Sequence, residues 1–169
     1  MTTTPRAEKR RNLFRRIQAI FNPLSKTILR SPLHRVMSKK LLLITFTGRK
    51  SGKKFTTPIS YVQQGDTLLL AVGGSWWKNL RGGTTVWVRL QGKLRTATTE
   101  VVTDEEVMSE IYQIILAQNP TQGRFMGIKA DPDGKPNAND LRQAIERGAA
   151  VVKVHISTDT DSYVLLDQR

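Results

Sequence analysis

Between Leu41 and Val102 the chain leaves no room for helical crossovers. The segments Leu41 to Thr47, Phe55 to Val62, Thr67 to Val72, Thr85 to Gln91 and Leu94 to Val102 are rich in β-branched, aromatic and leucine residues, and glycine-bearing turns part them. The connections Gly48 to Gly52, Gln63 to Asp66 and Gln91 to Lys93 are of hairpin length, so the strands they join are expected to be antiparallel neighbours. A helix is expected after Thr103 as N-cap, with Asp104, Glu105 and Glu106 in its first turn, running to Gln118, where Asn119-Pro120 stops it. A second helix is bounded by Asn139 and Gly148, and Val151 to Ile156 and Tyr163 to Leu166 read as two last strands. The polar Pro/Gly stretch Asp131 to Asn139 has the composition of a mobile turn. The sum is a mainly β, α+β fold: an antiparallel barrel or strongly curled sheet with peripheral helices, in which closure removes exposed strand edges.

The charge of the chain, +13 over 169 residues, is concentrated at one end. Residues 1–54 hold 15 Lys and Arg against the single acid Glu8, whereas residues 55–169 hold 12 against 13. A nucleic-acid module would spread its cations over a reading face, so a neutral body argues against a nucleic-acid partner. The division expected is a basic N-terminal arm over residues 1–40 and a barrel domain over residues 41–169.

Within the arm, Leu13, Phe14, Ile17, Ile20 and Phe21 fall at helical spacing, flanked by Arg10, Arg11, Arg15 and Arg16. Asn22-Pro23 interrupts the pattern, and Leu24, Ile28, Leu29 and Leu33 resume it until Ser31-Pro32 marks another break. A basic amphipathic helix over residues 6–35 can lie on an anionic membrane surface, where apolar burial and cationic attraction add. Apolar stripes at this spacing more often pack on their own domain. The longest unbroken apolar runs, Leu41 to Ile44 and Leu68 to Val72, fall far short of the roughly 20 residues a spanning helix needs. No export signal is apparent, because Gln18, Asn22 and Pro23 break the apolar stretch, so a cytoplasmic location is expected.

Cysteine is absent and only His34 and His155 supply imidazole, which leaves little from which to build a thiolate nucleophile or a metal site. The glycines around Arg49 have the wrong spacing for a phosphate loop of the Walker type, no Gly-x-Gly-x-x-Gly occurs, and Gly73-Gly74-Ser75 is not a nucleophile elbow. Two segments remain. The turn Thr47 to Gly52 combines two glycines with Arg49, Lys50 and Ser51, and suits a phosphate or a chain of carboxylates, or else is a solvated hairpin whose charges resist edge association. The stretch Gly73 to Gly83 offers glycines for close approach, Trp76 and Trp77 to cover a flat ring, and Lys78 and Arg81 for anionic groups; alternatively it is a short helix in which a tryptophan plugs the barrel end.

Taken in order, LLLITFTGRKSG (residues 41–52), FTTPISYV (55–62) and WWKNLRGG (76–83) resemble the deazaflavin-dependent nitroreductase family of split-β-barrel oxidoreductases. The resemblance extends less distinctly from about Leu33 to Leu166. It implies an enzyme, a reductase that binds 8-hydroxy-5-deazaflavin, coenzyme F-420, whose phospholactyl-oligoglutamate tail is strongly anionic. It further implies that Gly48, Arg49, Lys50, Ser51 and Gly52 engage phosphate and tail, that Thr57, Pro58 and Ile59 lie along the deazaflavin with Trp77 near its ring edge, and that Lys78 and Asn79 help close the groove. Related split barrels use FMN, and others bind haem-derived ligands without reducing them, so an FMN reductase or a non-catalytic flavin or tetrapyrrole carrier are the alternatives. Some are dimers, which makes a homodimer one expectation. Hydride transfer is carried by the cofactor, so the protein needs anchoring, orientation and a water-poor pocket and no nucleophile of its own. The acceptor would be a conjugated, quinone-like or nitro compound, with Ser75 or Tyr61 as donors to its oxygen and Tyr112, Phe125 and Met126 as wall residues.

Overall fold

The computed structural model describes residues 41–157. The arm and the segment Tyr163 to Leu166 lie outside the described residues. Seven strands, β1 (Leu41–Thr47), β2 (Lys54–Ser60), β3 (Val62–Gln64), β4 (Thr67–Val72), β5 (Thr85–Leu90), β6 (Lys93–Val102) and β7 (Ala150–Ile156), form one sheet in the order β2-β1-β5-β6-β7-β4-β3. Every pairing is antiparallel. The two ends of that order, β2 and β3, are separated in the chain by Tyr61 alone. One bent strand therefore pairs with β1 before the bend and with β4 after it, which curls the sheet into a barrel. Over residues 54–60 this strand has β1 as its sheet partner and its other edge is unpaired among the described strands, which is where a proline such as Pro58 is tolerated.

The two periodicities of the sequence follow from what covers each strand. In β1, Leu42, Ile44 and Phe46 are buried inside the barrel while their neighbours are not, giving strict alternation. In β4, Leu68, Leu70 and Val72 point into the barrel and Leu69 and Ala71 point out beneath helices, so the run is apolar throughout. Those helices are α1 (Glu105–Gln118), α2 (Pro120–Met126) and α3 (Ala138–Glu146). Met108, Ile111, Tyr112, Ile115, Leu141 and Ala144 fill the layer between them and the sheet.

The expected elements require four corrections. Asp104, not Thr103, caps α1, its carboxylate accepting the Val107 N–H at 3.0 Å. Asn119-Pro120 does end α1, but the proline then occupies the first turn of α2, where its missing N–H costs nothing. The second expected helix starts at Ala138 under an Asn137 cap. Of the stretch 131–139, residues 131–137 form a folded loop, in which the Asp131 N–H donates to Lys135 O at 2.8 Å and Asn137 Nδ2 donates to the Asp131 carboxylate at 2.9 Å, and Ala138 and Asn139 open α3.

Candidate functional site

The β1–β2 hairpin turn closes on itself through two bonds, Gly48 N–H to Lys53 O and Gly52 N–H to Gly48 O, both 2.8 Å. Gly52 sits at φ +64°, a conformation that side chains with a Cβ rarely adopt. The turn projects Arg49, Lys50 and Ser51 into solvent, and the backbone N–H groups of Lys50 and Ser51 donate to no group among the described residues. Ser51 Oγ accepts the Lys53 N–H at 3.3 Å, which holds the hydroxyl beside those free amides.

Gly73 and Gly74 lead from β4 into a single 3-10 turn, Trp76–Leu80, and this turn is fastened at both ends. Trp77 is 5% exposed and its indole N–H donates to Gly148 O at 2.9 Å. Thr99, buried in β6, donates its hydroxyl to Leu80 O at 2.7 Å. Asn79 then joins the turn to the hairpin: its Nδ2 donates to Trp76 O at 2.8 Å, and its Oδ1 accepts the Arg49 N–H at 3.0 Å. The Arg49 guanidinium donates to Lys78 O at 3.3 Å. The two segments singled out in the sequence thus form one surface.

Around this surface stand Arg49, Lys50, Lys53, Lys78 and Arg81, and none of them has a carboxylate partner among the described residues. Arg81 and Lys78 lie over the Trp77 ring, 4.8 and 5.8 Å from its centroid. Such a set of unneutralised cations beside free amides fits a ligand with several negative charges. Three near-parallel rings, Phe55, Phe46 and Trp76, stack between the hairpin and the 3-10 turn, with centroids 5.8 and 5.3 Å apart.

The expected residues are distributed as follows. Gly48 to Gly52, Lys78 and Asn79 are brought together. Thr57, Pro58 and Ile59 are half-buried on the unpaired edge of β2, with Thr57 and Ile59 in register with the inward Ile44 and Leu42 and Pro58 on the opposite face. Trp77 is a core side chain that plugs the barrel end, leaving Trp76 as the more exposed indole. Tyr61 is 6% exposed and packs inside the barrel at the bend between β2 and β3, whereas Ser75 is exposed at the start of the 3-10 turn with no side-chain cap bond. Tyr112 is fully buried between α1 and the sheet, so it is no wall residue of this surface; its hydroxyl has no hydrogen-bond partner among the described residues and desolvation raises its pKa. Sequence reasoning missed Phe55 and Lys53. The first was legible, because the Phe46 and Phe55 pair follows from the hairpin register.

A curled antiparallel sheet of this order, with a cationic hairpin latched to a short aromatic turn, has split-barrel architecture and offers a surface suited to an anionic ligand. The chain belongs to the F420H(2)-dependent quinone reductase family, whose model matches residues 28–131. It is an oxidoreductase, a reductase dependent on coenzyme F-420. No curated protein matches the chain. Among solved structures it is similar to an F420-H2 dependent reductase (FDR-A), at 21% identity and TM-score 0.48, over 69% of this chain and 95% of the other. A FAD-binding protein from Mesorhizobium loti matches at 12% identity and TM-score 0.45, over 75% and 90% of the two chains. A heme storage protein from Vibrio cholerae matches at 12% identity and TM-score 0.44, over 81% and 90%.

Proposed function

We propose that the Gly48–Gly52 hairpin receives the phosphate and glutamate tail of coenzyme F-420, and that the protein reduces a quinone-like acceptor at the Gly73–Ser75 side of the same surface. The observation that carries this reading is the Arg49 to Asn79 bond, because it sets free amides and unneutralised cations of both segments on one face. When bound, the reduced deazaflavin supplies hydride. The protein's share is positional. Arg49, Lys50 and the amides of Lys50 and Ser51 meet the anionic tail with charge-assisted bonds. Thr57, Pro58 and Ile59 offer a half-apolar edge along which a flat ring excludes water from one side. Asn79 keeps hairpin and turn at a fixed separation, and the Ser75 hydroxyl, uncommitted to the helix cap, donates to an acceptor oxygen.

The test is to mix purified protein with reduced F-420 and 1,4-naphthoquinone anaerobically and follow the return of the oxidised deazaflavin absorbance. Quinone-dependent oxidation above the protein-free rate is expected. An absent rate enhancement with quinones and nitroaromatics alike would overturn the assignment of the acceptor.

We further propose that residues 6–35 hold the enzyme on an anionic membrane surface, which is supported by 15 Lys and Arg against one acid in residues 1–54. Co-sedimentation with phosphatidylglycerol vesicles at low salt, lost when residues 1–35 are removed, is the expected result. Among the described residues no helix is long and apolar enough to cross a membrane.

A further inference from the structure

We propose that the corner where α2 ends forms an acceptor-side lip of the groove, and that Phe125 with Arg147 and Arg124 there selects flat acceptors bearing a negative charge. The inference rests on the reading above and names the acceptor class for that same surface.

The lip has a rigid base. Gln122 is 2% exposed and its Nε2 donates to Ser60 O at 3.1 Å, tying α2 to the end of β2. Gly123 lies so close to α1 that a Cβ there would run into Leu116 and come within 2.8 Å of Ile128 O. Beyond this base, the Met126 methyl lies 3.5 Å and its sulfur 3.8 Å from where a Cβ on Gly73 would stand, so Met126 borders the glycine run leading to Ser75. On another side, a Cβ on Gly148 would stand 3.2 Å from Gly74 O, and the Arg147 guanidinium reaches within 3.5 Å of the same position on Gly127. The ends of β4 and α2 and the approach to β7 therefore meet around Gly73 and Gly74.

Phe125 rises from this corner 87% exposed, against 44% for Phe55 and 37% for Val107. A lone exposed apolar side chain needs no explanation. This one stands beside Met126 on a helix fixed by buried contacts, with Arg124 next to it in the chain and Arg147 beside the helix end. Neither guanidinium has a hydrogen-bond or carboxylate partner among the described residues. An exposed aromatic side chain and two planar, unpaired cations thus share the end of one helix, a set complementary to a conjugated ring carrying a carboxylate or sulfonate.

The experiment compares 1,4-naphthoquinone with 1,4-naphthoquinone-2-sulfonate as acceptors for reduced F-420, in the wild type and in Arg147→Gln, Arg124→Gln and Phe125→Ala. The preference is the ratio of the two kcat/KM values; the difference in acceptor potential is common to all proteins and cancels between them. Removing an arginine is expected to lower the sulfonate preference by about tenfold. Phe125→Ala is expected to raise KM for both quinones several-fold, with the F-420 dissociation constant from fluorescence titration held within about twofold, since no hydrogen bond or ring contact joins Phe125 to the Gly48–Gly52 turn. A preference that survives both arginine substitutions, or a KM indifferent to Phe125, overturns the lip and leaves the quinone reading standing. A wild type that reduces neither quinone overturns both.

Discussion

The side-chain oxygen of Asn79 accepts the backbone N–H of Arg49 at 3.0 Å, across 30 residues of sequence. A backbone group is the donor, so the contact fixes the hairpin itself and leaves the Arg49 guanidinium to reach Lys78 O. Asn79→Ala removes this bond and the one to Trp76 O. The expected stability loss is about 1 kcal/mol, as for a partly exposed hydrogen bond, with F-420 binding weakened by more than that loss explains. Chemical denaturation and fluorescence titration of the same variant separate the two effects.

Gly48 is required for space. A Cβ there would lie 2.7 Å from the Phe55 ring and 2.8 Å from Ser51 Oγ, and the Phe55 ring cannot retreat freely because it stacks on Phe46. Gly48→Ala is expected to cost about 1 to 3 kcal/mol, the range for overpacking, and to displace Ser51 from the tail site. Thermal unfolding reads the first effect; a weaker dissociation constant for F-420 reads the second.

Tyr112 carries a hydroxyl that is fully buried without a hydrogen-bond partner among the described residues, its ring packed in the apolar cluster between helices and sheet. Tyr112→Phe removes an unsatisfied group and keeps the ring, so stability is expected to stay level or rise by about 1 kcal/mol. Because the side chain lies under α1 and away from the groove, quinone reduction should be unaffected. A loss of stability on denaturant titration would contradict the placement.

On the outer face of β6 and β7, Lys153 bonds the Glu100 carboxylate at 3.1 Å and holds its pKa below the usual range, with His155 at 3.4 Å adding to the effect and partial burial opposing it. A carboxylate whose folded pKa is depressed contributes stability above its unfolded pKa, about 4.3, and loses it as pH falls through the folded value. The stability difference between wild type and Glu100→Gln is therefore expected to be largest near neutral pH and to vanish in acid. Its size stays below about 1 kcal/mol, because Glu100 is largely solvent-exposed.

The strands were legible because each carries its environment in its pattern: β1 alternates, β4 does not, and turn glycines part them. The bend at Tyr61 was not, since nothing local distinguishes one long strand from two short ones that pair with different partners. α2 was hidden for a related reason: Asn119-Pro120 ends one helix and begins the next, and a breaker signal does not say which follows. Among candidate site residues, Arg49 and Asn79 came together as the motif order implied. Trp77 and Tyr61 instead face inward, because the interior of the curled sheet offers these large rings more apolar contact than its rim does. Phe125 was named in the sequence, but its exposure depends on how α2 docks, which no periodicity encodes.

The central claim is that the Gly48–Gly52 hairpin holds the anionic tail of the cofactor. The direct test is a fluorescence titration of wild type and Lys50→Ala with F-420 and with the 8-hydroxy-5-deazaflavin that lacks phosphate and glutamates. The wild type is expected to bind F-420 more tightly than the tail-less form, with Lys50→Ala losing about 1.5 to 3 kcal/mol of F-420 binding and little of the other. Equal affinity of the wild type for the two ligands, or an F-420 titration unchanged by Lys50→Ala, would contradict it.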